Sequence, residues 1–126
     1  MYNSLGPAKT VELFQKQPSP DTYMAGQIVF SQGETGDLMY GIIEGEIEMR
    51  VDGKVVEIVK AGDVFGEGAL VQPDRSRAST AIAKTDCKLA SIDRERFLFA
   101  VQQTPMFALQ VMKSYSDRLR RLKYMF

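Results

Sequence analysis

Ile47-Glu48-Met49-Arg50-Val51-Asp52-Gly53-Lys54-Val55-Val56-Glu57-Ile58-Val59 is the stretch that decides the fold. Apolar residues alternate with charged ones through Ile47, Met49 and Val51, the period of a half-buried strand. Asp52-Gly53 is a two-residue loop whose residue types accept the positive φ angles that match the twist of a hairpin, and Val55 to Val59 returns as a β-branched run. The stretch predicts an antiparallel hairpin. The same rhythm extends outward from Tyr23 to Asp93, as short runs rich in Val, Ile and aromatic residues broken by Gly-Asp, Gly-Glu and Asp-Gly turn signals. Ile28 to Phe30, Leu38 to Ile43, Ala78 to Ala83 and Lys88 to Ile92 read as further strands, and Gly33 to Asp37 reads as a turn too polar to bury. Such spacing belongs to an antiparallel sandwich or barrel.

Helical patterns flank this region. Residues 7–16 carry Val11, Leu13 and Phe14 on an amphipathic stretch that Pro7 starts and Pro18 and Pro20 end. Asp93 suits an N-cap. After it, Phe97, Ala100 and Val101 recur at helical spacing until Thr104-Pro105, and a second helix follows to the end. Met112, Tyr115, Leu119, Leu122 and Phe126 are spaced 3-4-3-4 on that helix, the seam of one that packs on another helix. Its basic run, Arg118 to Lys123, reads as the polar flank of the seam, with Asp117 paired to Arg121. The expected organisation is one domain over residues 1–126, with an N-terminal helix at 7–16, a β region at 22–93 and helices at 94–126.

Composition removes several function classes. With 126 residues, 44% of them hydrophobic, the chain buries one ordinary core. Sixteen basic and sixteen acidic residues cancel, so no overall field draws nucleic acid or an anionic membrane. There is no histidine. That removes Ser-His and Cys-His nucleophilic pairs and imidazole metal ligands, so neither a catalytic residue nor a metal site is expected, and the chain does not read as an enzyme. The single cysteine, Cys87, reads as a small buried apolar residue and cannot form an internal disulfide, which places the chain in the cytoplasm by default. No window is apolar enough to predict a membrane span.

The chemistry gathers at Phe65-Gly66-Glu67-Gly68-Ala69-Leu70 and Arg77-Ala78-Ser79. Gly66 leaves backbone N–H groups unobstructed at the start of a short helical turn, where exposed donors and the helix dipole favour an anion. Arg77 adds charge-assisted donors for the same oxygens, and Glu67, acceptor-only when ionised, suits a sugar hydroxyl. Arg75 competes for the anion only by proximity and reads as a solvated loop charge.

These residues resemble the phosphate-binding cassette of cyclic-nucleotide-binding domains, and the resemblance extends through Gly26 to Glu34, Gly36 to Tyr40, Gly45 and Ala61-Gly62-Asp63. From Arg77 to Arg121 the chain is similar to the bacterial catabolite activators. The resemblance implies an antiparallel β-roll or jelly-roll of about eight strands, mainly β, with a short N-terminal helix and two C-terminal helices. By position it implies ligand contacts at Gly66, Glu67, Ala69, Arg77, Ala78 and Ser79. Tyr115, Leu119 and Leu122 are the expected lid. Ala78 lacks the hydroxyl that relatives preferring cyclic GMP often place there, so the expected ligand is cyclic AMP (cAMP) over cyclic GMP, with no other cofactor. Two positions depart from the family pattern: Gly68 stands where a bulky apolar residue is usual, and Leu122 and Lys123 stand where hydroxyl side chains contact the base. The implied function is a regulatory module whose C-terminal helices repack over ligand, with a homodimer through residues 108–126 and an unidentified protein effector as partners, and no DNA binding by this chain alone. The alternative is a ligand-free interaction or scaffold domain of the same fold.

Overall fold

The computed structural model describes residues 6–124. In chain order these form α1 (Pro7–Phe14), β1 (Asp21–Tyr23), β2 (Ile28–Phe30), β3 (Met39–Glu44), β4 (Glu46–Val51), β5 (Lys54–Lys60), β6 (Val64–Phe65), α2 (Gly68–Val71), β7 (Thr80–Ala83), β8 (Cys87–Ile92), α3 (Arg94–Gln103) and α4 (Met106–Lys123). The hairpin is as its sequence requires. Asp52 and Gly53 both take positive φ, 52° and 81°, and β4 pairs antiparallel with β5, with one register shift at Met49/Arg50.

Two four-stranded antiparallel sheets, ordered β1-β8-β3-β6 and β2-β7-β4-β5, make the β-roll. The second buries one face: Ile47, Met49, Val59, Ala81 and Ala83 point into the roll. The first is covered on both. Along β3, Tyr40 and Ile42 enter the roll while Met39 and Ile43 face the helices, and β8 divides Leu89 from Ala90 and Ile92 in the same way. The outer core adds Val11, Ala100, Phe107 and Val111 from three helices. This two-sided burial explains why β3 reads as a continuous apolar run and β4 as an alternating one.

Helix α1 rests directly on β3. A Cβ on Gly41 would stand 2.8 Å from the Ala8 Cα, so only glycine admits that approach. The Ala8 amide donates to the Gly62 carbonyl at 3.0 Å, which fixes the helix start. Asp93 caps α3, its Oδ1 accepting from the Arg96 amide at 2.8 Å.

Several sequence expectations shift. Helix α1 ends at Phe14 rather than 16, and Leu13 is 76% exposed, because the helix seats itself through Pro7, Ala8 and Val11. Strand β7 starts at Thr80 rather than Ala78, where the ladder to Arg50 begins, since Arg77 spends its amide and carbonyl on Glu34 and Gly33. Lys88 to Ile92 gains Cys87, whose buried Sγ meets the Glu46 and Thr85 carbonyls. On α4 the buried stripe is Phe107, Val111, Ser114 and Arg118, one face round from the expected seam, and Met112 is 65% exposed. Phe126 lies outside the described residues. Asp117 pairs with Lys113 at 2.7 Å instead of Arg121, and Arg118 is a buried residue rather than polar flank. Among the described residues no helix is long and apolar enough to cross a membrane.

Gly41→Ala should lift α1 off the sheet and lower unfolding stability by about 1–3 kcal/mol, read from the urea midpoint.

Candidate functional site

Strand β6 delivers the chain to Gly66, which has φ 82° and so turns where an L side chain is strained. A Cβ there would also stand 3.0 Å from the Arg77 Nη1 and 3.3 Å from the Phe30 ring. Glu67 then leads into the single turn of α2 with no side-chain capping bond, and the loop through exposed Arg75 returns the chain to Arg77.

Arg77 is held at both ends. Its amide donates to the Glu34 carbonyl and its carbonyl accepts from the Gly33 amide, each at 2.8 Å. Its side chain is 6% exposed. Nη1 donates to the Gly66 carbonyl and Nη2 to the Leu38 carbonyl, both at 2.9 Å, while the guanidinium lies 4.0 Å over the Phe30 ring. Gly36 makes room: a Cβ on it would overlap the guanidinium. Among the described residues Arg77 forms no ion pair with a carboxylate. Burial therefore depresses its pKa, and the phenol of Tyr40 and the more distant Glu34, Asp37 and Glu67 only partly offset this. A desolvated cation balanced by carbonyl dipoles is costly, and an arriving anion lowers that cost.

The guanidinium borders a cavity of about 520 Å³, large enough for a small ligand. Gly66, Glu67, Arg77, Ala78 and Ser79 line one side, and Met49, Val51, Val56 and Ile58 form an apolar wall. Tyr115, Leu119 and Leu122 of α4 line it as well, with Arg121 beside them. Ala69 is apart from this group: its side chain is buried beneath the turn, and its amide leans on the Gly66 carbonyl at 3.4 Å. Arg75 borders a different, polar surface depression, which separates it from Arg77.

Two residues of the cavity escaped the sequence reading. Glu57 and Arg118 both line it and form a bidentate pair, with Arg118 Nε 2.6 Å from Glu57 Oε2 and Nη2 3.2 Å from Oε1. The available signal was small. Glu57 interrupts an otherwise apolar run, Val55 to Val59, and Arg118 follows Tyr115 by three positions on the same helix. Glu67 is also partnered, its Oε1 accepting from the Tyr115 hydroxyl at 2.7 Å.

Two tyrosines with shifted phenols stand beside the site residues, Tyr40 near Arg77 and Tyr115 on Glu67. Burial pushes the Tyr40 phenol up to about 12, and burial together with the Glu67 charge pushes Tyr115 well above the ordinary phenol value. Unfolded tyrosines ionise near pH 10, so above that pH the unfolded chain binds fewer protons than the folded one. Stability should hold below about pH 10 and fall as the pH rises towards 12, with the absorbance of Tyr40 and Tyr115 phenolates appearing late or with unfolding.

Comparison with known proteins places this geometry. Residues 20–104 match the family model described as the cyclic nucleotide-binding domain. A CRP-like cAMP-activated global transcriptional regulator of Mycobacterium tuberculosis is 32% identical over 111 residues, 84% of this chain and 49% of the relative. A cAMP-dependent protein kinase regulatory subunit of Schizosaccharomyces pombe is 39% identical over 94 residues, 70% of this chain and 23% of the relative. The chain thus spans half or less of these curated relatives. The crystal structure of the Thermus thermophilus catabolite activator protein superposes with a TM-score of 0.74 at 22% identity, over 94% of this chain and 56% of that one, a likeness of fold.

Proposed function

The chain belongs to the cyclic nucleotide-binding domain family, and from that premise we propose that it is a ligand-sensing module whose ligand is cAMP in preference to cyclic GMP. The observation that carries this reading is Arg77: a buried guanidinium with no carboxylate ion-paired to it among the described residues, at the edge of a cavity that also presents a carboxylate and an apolar wall. The cyclic phosphate takes its place against Arg77 and the amides of the Gly66 turn. The ribose 2′-hydroxyl donates to Glu67, and the purine lies against Met49, Val51, Val56 and Ile58. Ala78 and Ser79 border the phosphate side, and Ala69 contributes by filling the space beneath the turn. The preference for cAMP rests on Ala78, which offers no hydroxyl to a guanine, and both curated relatives carry cAMP in their names.

Output runs through α4. Tyr115, Leu119 and Leu122 line the cavity from that helix, so a ligand touching them favours one helix arrangement over another, which is what coupling requires. Leu119 and Leu122 stay largely exposed, as does Met112. That partly unpartnered edge supports self-association through residues 108–126 and recognition by an effector protein.

Calorimetric titration with cAMP should give saturable binding. At 100 times the dissociation constant the ligand should add about 2.7 kcal/mol to stability, visible as a raised melting temperature. Arg77→Ala and Glu67→Ala should each weaken binding by about 10- to 100-fold. No heat and no thermal shift at millimolar cAMP or cyclic GMP would sink the sensor reading and leave the interaction-domain alternative.

A further inference from the structure

Two carboxylates, Glu57 and Glu67, line the cavity, and one turn of α4 grips both. Glu57 stands on β5 and receives the fork of Arg118. The remaining Arg118 nitrogen, Nη1, donates at 2.5 Å to the carbonyl of Val64, two residues before Gly66. Arg118 is 9% exposed, and its guanidinium lies 4.4 Å from the centroid of the Tyr115 ring. Tyr115 in turn donates to Glu67. Ser114 adds a third point of attachment, its hydroxyl meeting Asp63 Oδ1 at 3.0 Å.

A largely buried ion pair is a weak source of net stability, because both charges lose hydration. What a bidentate fork supplies is geometry. Here it fixes the guanidinium on which the Tyr115 ring rests, and so fixes where the phenol hydroxyl points. An ionised carboxylate accepts more than one hydrogen bond, so Glu67 held at Oε1 still has acceptor capacity for a sugar hydroxyl. A carboxylate oriented beforehand also loses less rotamer freedom when the ligand arrives.

We propose that Glu57 and Arg118 form a clasp that positions Glu67 for ribose recognition, acting through the Tyr115 hydroxyl. The proposal rests on the reading of the cavity as a cyclic-nucleotide site. Glu57 and Arg118 are positioning residues, and the clasp makes selection of a ribose over a 2′-deoxyribose a property of α4 as well as of the Gly66 turn. It also routes the sugar's contact into the helix that carries the output.

The test is to titrate the full chain with cAMP and with 2′-deoxy-cAMP and compare the ratio of affinities. The unsubstituted chain should bind the ribose form about 10-fold or more tightly. Glu57→Gln, Arg118→Lys and Tyr115→Phe should each bring the ratio to within about 3-fold by weakening cAMP alone, and Glu57→Gln combined with Tyr115→Phe should do no more than either, since they act on one path. A purely structural loosening weakens both nucleotides equally and leaves the ratio intact, and that result overturns the clasp. Loss of the ratio in Tyr115→Phe but not in Glu57→Gln or Arg118→Lys overturns it as well. Thermal melts identify any variant that fails to fold, and Arg118→Lys, which keeps the charge but not the fork, carries the test if Glu57→Gln is lost. Absence of binding by the unsubstituted chain defeats the cavity reading itself, an outcome distinct from a preserved ratio in a chain that binds.

Discussion

The contact on which the site depends is the seat of Arg77. Its guanidinium lies on Phe30, its terminal nitrogens donate to the carbonyls of Gly66 and Leu38, and the bare α-carbon of Gly36 leaves it room. Two segments far apart in sequence, residues 30–38 and Gly66, converge on one cation, with a lattice of aromatic rings beneath it. Tyr40 stacks on Phe65 at 5.3 Å, and Phe30 approaches Phe65 at 5.9 Å. Among the described residues the seat supplies dipoles and π faces but no carboxylate ion-paired with the guanidinium, which leaves electrostatic capacity for an anion.

The rest of the architecture serves that seat. The first sheet, buried on both faces, holds β3 and β6 so that Leu38 and Gly66 present their carbonyls to the same guanidinium. The second sheet, buried on one face, provides the apolar wall through β4 and β5. Helix α4 closes the arrangement with polar contacts from one turn, Ser114 to Asp63, Tyr115 to Glu67 and Arg118 to Glu57. A helix tied down by hydrogen bonds and one ion pair at the cavity is more readily biased by a ligand than one sealed by apolar packing, because the ligand competes for or reinforces specific partners.

What the sequence disclosed followed from local rules. The hairpin was legible because Asp52-Gly53 leaves few alternatives, and the start of α3 because Asp93 precedes a periodic run. Gly66, Glu67 and Arg77 stood out because each residue type matches one chemical need, and the fold brings all three to one cavity. What stayed hidden depends on which way a helix turns. Periodicity located the apolar stripe of α4 but not the face that meets the sheet, so Arg118, one residue of a basic run, looked solvated and proved buried. Glu57 drew no reading of its own within the hairpin. Its role exists only because β5 passes beside α4, across a gap of 61 residues. The start of β7 failed differently: the strand was expected from Ala78, but Arg77 had already committed its backbone to the Gly33–Glu34 turn.

The central claim is that Arg77 is a preformed phosphate seat. Nitrogen-15 NMR of the Arg77 guanidinium tests it most directly, with cAMP and then adenosine added to the full chain. The account predicts that the side-chain N–H signals of Arg77, assigned with Arg77→Lys, shift saturably with cAMP and stay in place with adenosine, which keeps the base and sugar but lacks the phosphate. Signals unmoved at saturating cAMP, or moved equally by adenosine, would contradict it.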